Sequence, residues 1–179
     1  LGAGSNPEIG RRAAEEDLDV VIDLIKGADI LFLTGGMGGG TGSGALPVIA
    51  NAARELGILT VGVVTKPFTF EGRRRMGHAE EAIRHLKQSV DTLLVVPNQK
   101  LLESVDPKIS MLDAFALSNN VLKQAIKGIS DIITKPGHIN VDFADVRSIM
   151  KDMGLAIMGI GRKSGEGRAR EAAVQAITS

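Results

Sequence analysis

Two stretches of this chain hold residue types that could do chemistry. The first is GGMGGGTGSG, residues 35–44, in which seven of ten residues are glycine. Ordered glycine has an entropic cost, so a run this dense needs a reason. A plain turn requires one or two glycines. Two readings remain: a cradle of backbone N–H groups around an anion at a helix amino end, where Cβ atoms would obstruct the approach, or close packing of backbone on backbone. The cradle is the expectation. The second stretch is NVDFADV, residues 140–146, with Asp142 and Asp145 three apart at a helix start. Such a pair can cap the helix and oppose its dipole, or it can hold and polarise a water.

The type of phosphate ligand narrows next. A P-loop needs a Lys followed by Ser or Thr, and this loop has no Lys. GTGSGA, residues 40–45, fits the G-x-G-x-x-A form of a dinucleotide fingerprint. That fingerprint also needs an acid at the end of the next strand, and Thr65, Lys66 and Pro67 stand there. A dinucleotide-binding oxidoreductase is therefore a minor alternative. GAGSNPEIG, residues 2–10, is a second Gly-rich segment leading into a helix. It is either a simple helix-start loop capped by Asn6 or a second phosphate loop on the same sheet edge. Glu71 and Arg75 are four apart, on one helix face, placed for sugar and phosphate contacts or else forming a surface pair worth little. Asn98 ends a strand, where an amide could read a base edge. His78 and His85 read as solvated helix residues, and no metal-ligand cluster stands out.

The elements that must position these residues follow from periodicity. Helices are expected at 8–26, 41–56, 70–89, 110–134, 142–152 and 167–178, with a short one at 99–104. Strands are expected at 28–34, 58–65, 91–98 and 154–161. The alternation implies an α/β fold with a parallel sheet covered on both faces, whose ligands bind at the carboxyl ends of the strands. In the long helix Met111, Phe115, Leu122, Ile126, Ile129 and Ile133 form an apolar stripe broken at Ser118 and Asn119. The break suggests a pocket wall with Phe115 free to stack on a planar ring; the alternative is that Asn119 finds a backbone partner in the core. At ~1.5 Å per residue the long helix spans about 30 Å. Asp142 and Asp145 follow its far end, out of reach of their own chain's phosphates but within reach of a neighbour's.

Bulk composition excludes several classes. Net charge is zero, so no global field draws nucleic acid or a membrane. Cysteine is absent, which removes disulfides and thiolate metal sites. Hydrophobic residues make up 44% without Trp or Tyr, so the core must be aliphatic. No apolar run approaches a transmembrane length. The chain opens at Leu1 on a glycine-rich stretch and is expected to be an internal fragment of a longer protein.

These motifs resemble the tubulin/FtsZ GTPase family. GGMGGGTGSGA is similar to its signature loop, and NVDFADV to the catalytic loop of its bacterial branch. LGAGSNPEIG, KPFTFEGRRR and VVPNQKLL match the family in order, so the resemblance covers essentially all 179 residues. It implies a Rossmann-like parallel sheet with helices on both faces, a long central helix and the start of a second α/β domain. The divisions expected are a GTP-binding domain at 1–109, a core helix at 110–135 and a truncated GTPase-activating domain at 136–179. The implied ligands are GTP or GDP with Mg²⁺ held mainly by the phosphates. Gly39, Gly40, Thr41 and Gly42 match α- and β-phosphate contacts, and Ala3 and Gly4 lie by the γ-phosphate. Glu71 and Arg75 match the ribose pair, Phe115 the ring against guanine, and Asn98 and Asn119 the guanine-reading positions. Asn140, Asp142 and Asp145 match the loop that enters the next subunit's pocket and activates water.

The resemblance also implies a cytoplasmic, head-to-tail homopolymer at the division site. It would have adaptor partners that bind through regions outside this chain, and neither nucleic acid nor direct membrane insertion is expected. The isolated fragment, missing a first strand and loop, is expected to bind GTP and polymerise poorly. A non-hydrolysing structural paralogue is the rival from another class; both carboxylates being present counts against it.

Overall fold

A computed structural model describes residues 2–103, 105, 108–135, 141–159 and 161–178. The first helical stretch is two helices rather than the one expected. Helix α1, Pro7–Glu16, starts with Asn6 as cap, its side chain accepting from the Glu8 N–H at 3.0 Å. Helix α2, Leu18–Ile25, follows after Asp17 leaves helical geometry. Helix α1 buries only Gly10, against α3, whereas α2, which also touches α3, holds Leu18, Val21, Ile22 and Ile25 half-buried.

Strand β1, Ile30–Gly36, precedes helix α3, Gly40–Glu55, and strand β2, Leu59–Lys66. A short 3-10 turn, Thr69–Glu71, leads to helix α4, Arg73–Ser89, and strand β3, Thr92–Pro97. Helix α5, Asn98–Glu103, and the long helix α6, Met111–Thr134, follow; Ser110 caps α6. Helix α7, Phe143–Met150, strand β4, Gly154–Ala156, and helix α8, Arg168–Thr178, complete the order.

The sheet is parallel throughout, in the order β1-β2-β3-β4. Strand β2 is central and buried on both sides, as a β-branched run in a doubly covered sheet should be. Its alternate residues serve two cores. Leu59, Val61 and Val63 face Ala125, Leu122, Ile126 and Ile129 of α6. Val64, with Leu33 of β1 and Leu93 of β3, faces Ala50 of α3 and Ala79, Ala82 and Leu86 of α4. The expected stripe on α6 therefore holds at its centre, but Met111 at its start is 60% exposed.

Strand β4 is shorter than the 154–161 expected. Only Gly154–Ala156 pair, with Thr92–Leu94 of β3, and Ile157 is already 98% exposed. These residues extend the same sheet as the first three strands.

One buried carboxylate ties the amino edge of the sheet together. Asp91 is 3% exposed; its Oδ2 accepts from the Thr60 N–H at 2.8 Å and the Thr60 hydroxyl at 2.9 Å. Its carbonyl accepts from the Gly154 N–H at 2.9 Å, which brings in β4. Asp91→Ala would leave two buried donors on Thr60 unpaired. The expected loss is about 3 kcal/mol of unfolding free energy, read by urea denaturation.

Candidate functional site

The glycine run lies where expected, between the carboxyl end of β1 and the amino end of α3. The Met37 N–H donates to the Thr65 carbonyl at 3.0 Å, so the loop is anchored to the end of β2. Gly38 takes φ +97 and donates its N–H to Ser43 Oγ at 2.8 Å, folding the loop back on the helix. The first-turn amides of α3 have no intrahelical partner and face out from a positive helix end.

Backbone packing accounts for many of the glycines. A Cβ at Gly44 would stand 2.0 Å from the Pro7 carbonyl oxygen, and one at Gly10 would stand 2.2 Å from that of Gly40. At Gly40 it would meet Ala3 Cβ at 2.7 Å and Asn6 backbone at 2.8 Å; at Gly42, the Gly36 carbonyl oxygen at 2.9 Å. Helices α1 and α3 thus touch backbone to backbone, and Ala3 is brought beside Gly40. Gly4 and Ser5 are both left-handed, at φ 56 and 60, which turns the 2–6 segment back to this contact. The two glycine-rich segments are therefore neighbours. Gly39 differs from the rest: a Cβ there would find nothing nearer than Arg75 Nη2 at 3.9 Å. Thr41 is exposed.

Glu71 and Arg75 do not share one continuous helix as expected. Glu71 ends the 3-10 turn, and Gly72, at φ +97, separates it from α4. The pair still forms, with Arg75 Nε 3.2 Å from Glu71 Oε2. Glu71 Oε1 accepts from the Phe68 N–H at 2.8 Å, so the carboxylate also closes the turn. Its side chain is 10% exposed against 49% for Arg75. The arginine lies over the glycine loop, its carbonyl and Cγ closing off the space beside Gly38.

The same turn sends two rings to α6. Phe68, fully buried, stacks on Phe70 with centroids 5.0 Å apart and meets Phe115 edge-on at 5.3 Å. Phe70 also meets Phe115 at right angles, 6.1 Å away. Phe115 keeps 38% exposure, so part of its ring is open while the other two rings hold it in place. Asn119, one turn later, is exposed. The alternative that placed Asn119 in the core is excluded: the buried polar residue at the break is Ser118, whose hydroxyl donates to Asn98 Oδ1 at 2.7 Å. Thr69 donates both its N–H and its hydroxyl to Gln99 Oε1, which ties the turn to α5. The sequence marked Ser118 as part of the polar break but did not single out Phe68, Phe70 or Gln99; two Phe residues flanking one Thr beside Glu71 were the available signal.

The carboxylates stand at the other edge of the sheet. Asp142 caps α7, its Oδ1 accepting from the Asp145 N–H at 2.9 Å, and both carboxylates are exposed. Arg147 Nη2 donates to the Gly57 carbonyl at 2.8 Å, just before β2 begins, and the Met150 carbonyl accepts from the hydroxyl of Thr92, which opens β3. Seven strand residues in β1, at about 3.3 Å each, put the two edges about 20 Å apart. Asn140 lies outside the described residues. Among the described residues no group of three or more His, Asp or Glu could hold a metal ion, and no helix is long and apolar enough to cross a membrane.

Residues 1–106 match a model of the tubulin/FtsZ family, GTPase domain. The chain belongs to the tubulin/FtsZ family. Two FtsZ cell division proteins, from Buchnera aphidicola (subspecies Baizongia pistaciae) and Coxiella burnetii, are each 58% identical over all 179 residues, which span 46% of either relative. The chain thus covers about half the length of the curated family members it matches. An empty FtsZ dimer from M. jannaschii superposes with a TM-score of 0.94 at 49% identity, covering 100% of this chain and 52% of that one. CetZ from Methanosaeta thermophila matches at 0.79 over 98% of this chain and 50% of its own, with 19% identity, and so shares the fold.

Proposed function

We propose that this chain is the nucleotide-binding part of a cytoskeletal GTPase that assembles head-to-tail for cell division, with each active site shared between neighbours. The observation that carries this reading is the separation of two half-sites across one sheet. The amino end of α3, Arg75, Phe115, Asn119 and Asn98 gather at the carboxyl edge, and Asp142 and Asp145 at the amino edge. Family membership and the names of the relatives support GTP and cell division, and the M. jannaschii relative was solved as a dimer.

In this reading Gly39–Gly42 receive the α- and β-phosphates on backbone amides, and Ala3 and Gly4 border the γ-phosphate. Glu71 and Arg75 take the ribose, and Phe115 packs on the guanine that Asn98 and Asn119 read. Asn140, Asp142 and Asp145 enter the next subunit's pocket, where the carboxylates orient the attacking water and accept its proton. A Mg²⁺ ion would be carried mainly by the phosphates, whose charge it would neutralise. A surface that meets a different surface of the next copy gives an open filament rather than a closed ring. Adaptor proteins at a cytoplasmic division site belong to the same proposal.

The test is GTP turnover per subunit of the full-length protein against its concentration. A shared site predicts turnover that rises steeply and then levels off as filaments form. Turnover per subunit that is flat from nanomolar to micromolar protein would end this reading.

A further inference from the structure

We propose that Ser118 is a positioning residue: its hydroxyl fixes which end of the Asn98 carboxamide faces the cleft, and so sets the preference for guanine over 6-aminopurines. This rests on the nucleotide-site reading above. Ser118 and Asn98 are each 4% exposed, and their 2.7 Å hydrogen bond joins α6 to the end of β3. Ser89 and Thr134 spend their hydroxyls on the carbonyl four residues back in their helices; Ser118 reaches across to Asn98 instead.

The bond has a direction. With the hydroxyl donating to Oδ1, the Asn98 NH₂ makes no hydrogen bond among the described residues, yet no side-chain polar atom there is both sealed from solvent and unpartnered. The NH₂ therefore keeps a small contact with solvent, and its two donors are unspent. In the reverse orientation the NH₂ would be used on Ser118, and the buried hydroxyl would have to turn back to a helix carbonyl, as Ser89 and Thr134 do, instead of joining α6 to Asn98. Ser118 thus holds the carboxamide with its donor outward.

A fixed donor discriminates bases at one position. Guanine offers acceptors at O6 and N7, whereas adenine carries an N6–H₂ donor where guanine has O6. An outward NH₂ from Asn98 pairs with O6 and opposes N6–H₂. Exposed Asn119, with a free choice of rotamer, supplies an acceptor for guanine N1–H and N2–H₂. Without Ser118, the Asn98 amide could rotate and accept from a 6-amino group.

The experiment measures binding of GDP and of 2,6-diaminopurine riboside diphosphate, which keeps the 2-amino group and replaces O6 with an amine. Full-length wild type, Ser118→Ala, Ser118→Thr and Phe115→Ala are compared by equilibrium titration. Ser118→Ala is expected to lower the GDP preference about tenfold, the worth of one net hydrogen bond. Ser118→Thr, which keeps the hydroxyl, is expected to retain it. A Ser118 role in packing alone would weaken both ligands equally and leave the ratio unchanged, which would overturn the proposal. If Phe115→Ala binds GDP as wild type does, the site reading itself fails; if Phe115→Ala weakens GDP while Ser118→Ala leaves the ratio intact, only the positioning role fails.

Discussion

Gly44→Val is expected to lose about 3 kcal/mol or more of stability, the scale of severe overpacking, and to bind GTP weakly because α1 is displaced. The first atom of any side chain at 44 would overlap the Pro7 carbonyl oxygen at 2.0 Å and the Arg11 backbone nitrogen at 2.5 Å. Both are backbone, so no rotamer change relieves the clash. Gly39→Ala is the contrast. Gly39 has φ −84 and ψ 178, which alanine adopts freely, and its Cβ would meet only the mobile end of Arg75 at 3.9 Å. Its unfolding curve should match wild type within ~0.5 kcal/mol. A fall in GTP affinity at unchanged stability would then report a blocked phosphate approach. Gly40 cannot make this distinction, since a Cβ there collides with Ala3 and Asn6 whether or not a phosphate binds. Chemical denaturation with nucleotide titration on the same two variants checks both expectations; a Gly44→Val protein as stable as wild type would refute the packing account.

The order of elements was legible because the apolar runs were short, β-branched and regularly alternated with amphipathic stretches. Val61 and Val63 on one face of β2 and Val64 on the other could be read from a continuous apolar run that belongs in a doubly covered sheet. What escaped was set by partners rather than by local pattern. Helix α1 is seated on the glycine-lined start of α3, a partner that nothing in residues 8–26 announces. Strand β4 stops at Ala156 although its apolar run goes on and β3 continues to Pro97, so the run by itself overstates the pairing. At the site, residue types pointed to Phe115 and Asn98, but their holders did not show. Ser118 lies 20 positions from Asn98, and Phe68 is 47 positions from Phe115. Such contacts arise only when α6 crosses the end of β3. The glycine run was ambiguous for a deeper reason: close packing and anion binding both exclude Cβ atoms, so composition alone cannot separate them.

Asp142→Ala should cut GTP turnover of the assembled full-length protein by about 10²-fold or more, the size of a lost general base, with GDP affinity unchanged. The structure adds a complication that also supplies the control. Asp142 caps α7 through the Asp145 N–H, so alanine removes a cap worth ~1 kcal/mol together with a charge. Asn caps as well as Asp does but cannot accept a proton from water. Asp142→Asn should therefore fold like wild type and still turn over as slowly as Asp142→Ala. If Asp142→Asn retains full turnover, the residue is a cap and nothing more. Mixing separates a shared site from a self-contained one. A 1:1 mixture of Asp142→Asn with a pocket-disabled Phe115→Ala Asn119→Ala chain joins an intact pocket to an intact carboxylate loop at about a quarter of head-to-tail contacts, by random placement. Turnover should then exceed the sum of the two variants measured alone. Carboxylates that served their own chain's nucleotide would give the sum and no more, a sharp distinction, because the two edges of the sheet stand about 20 Å apart.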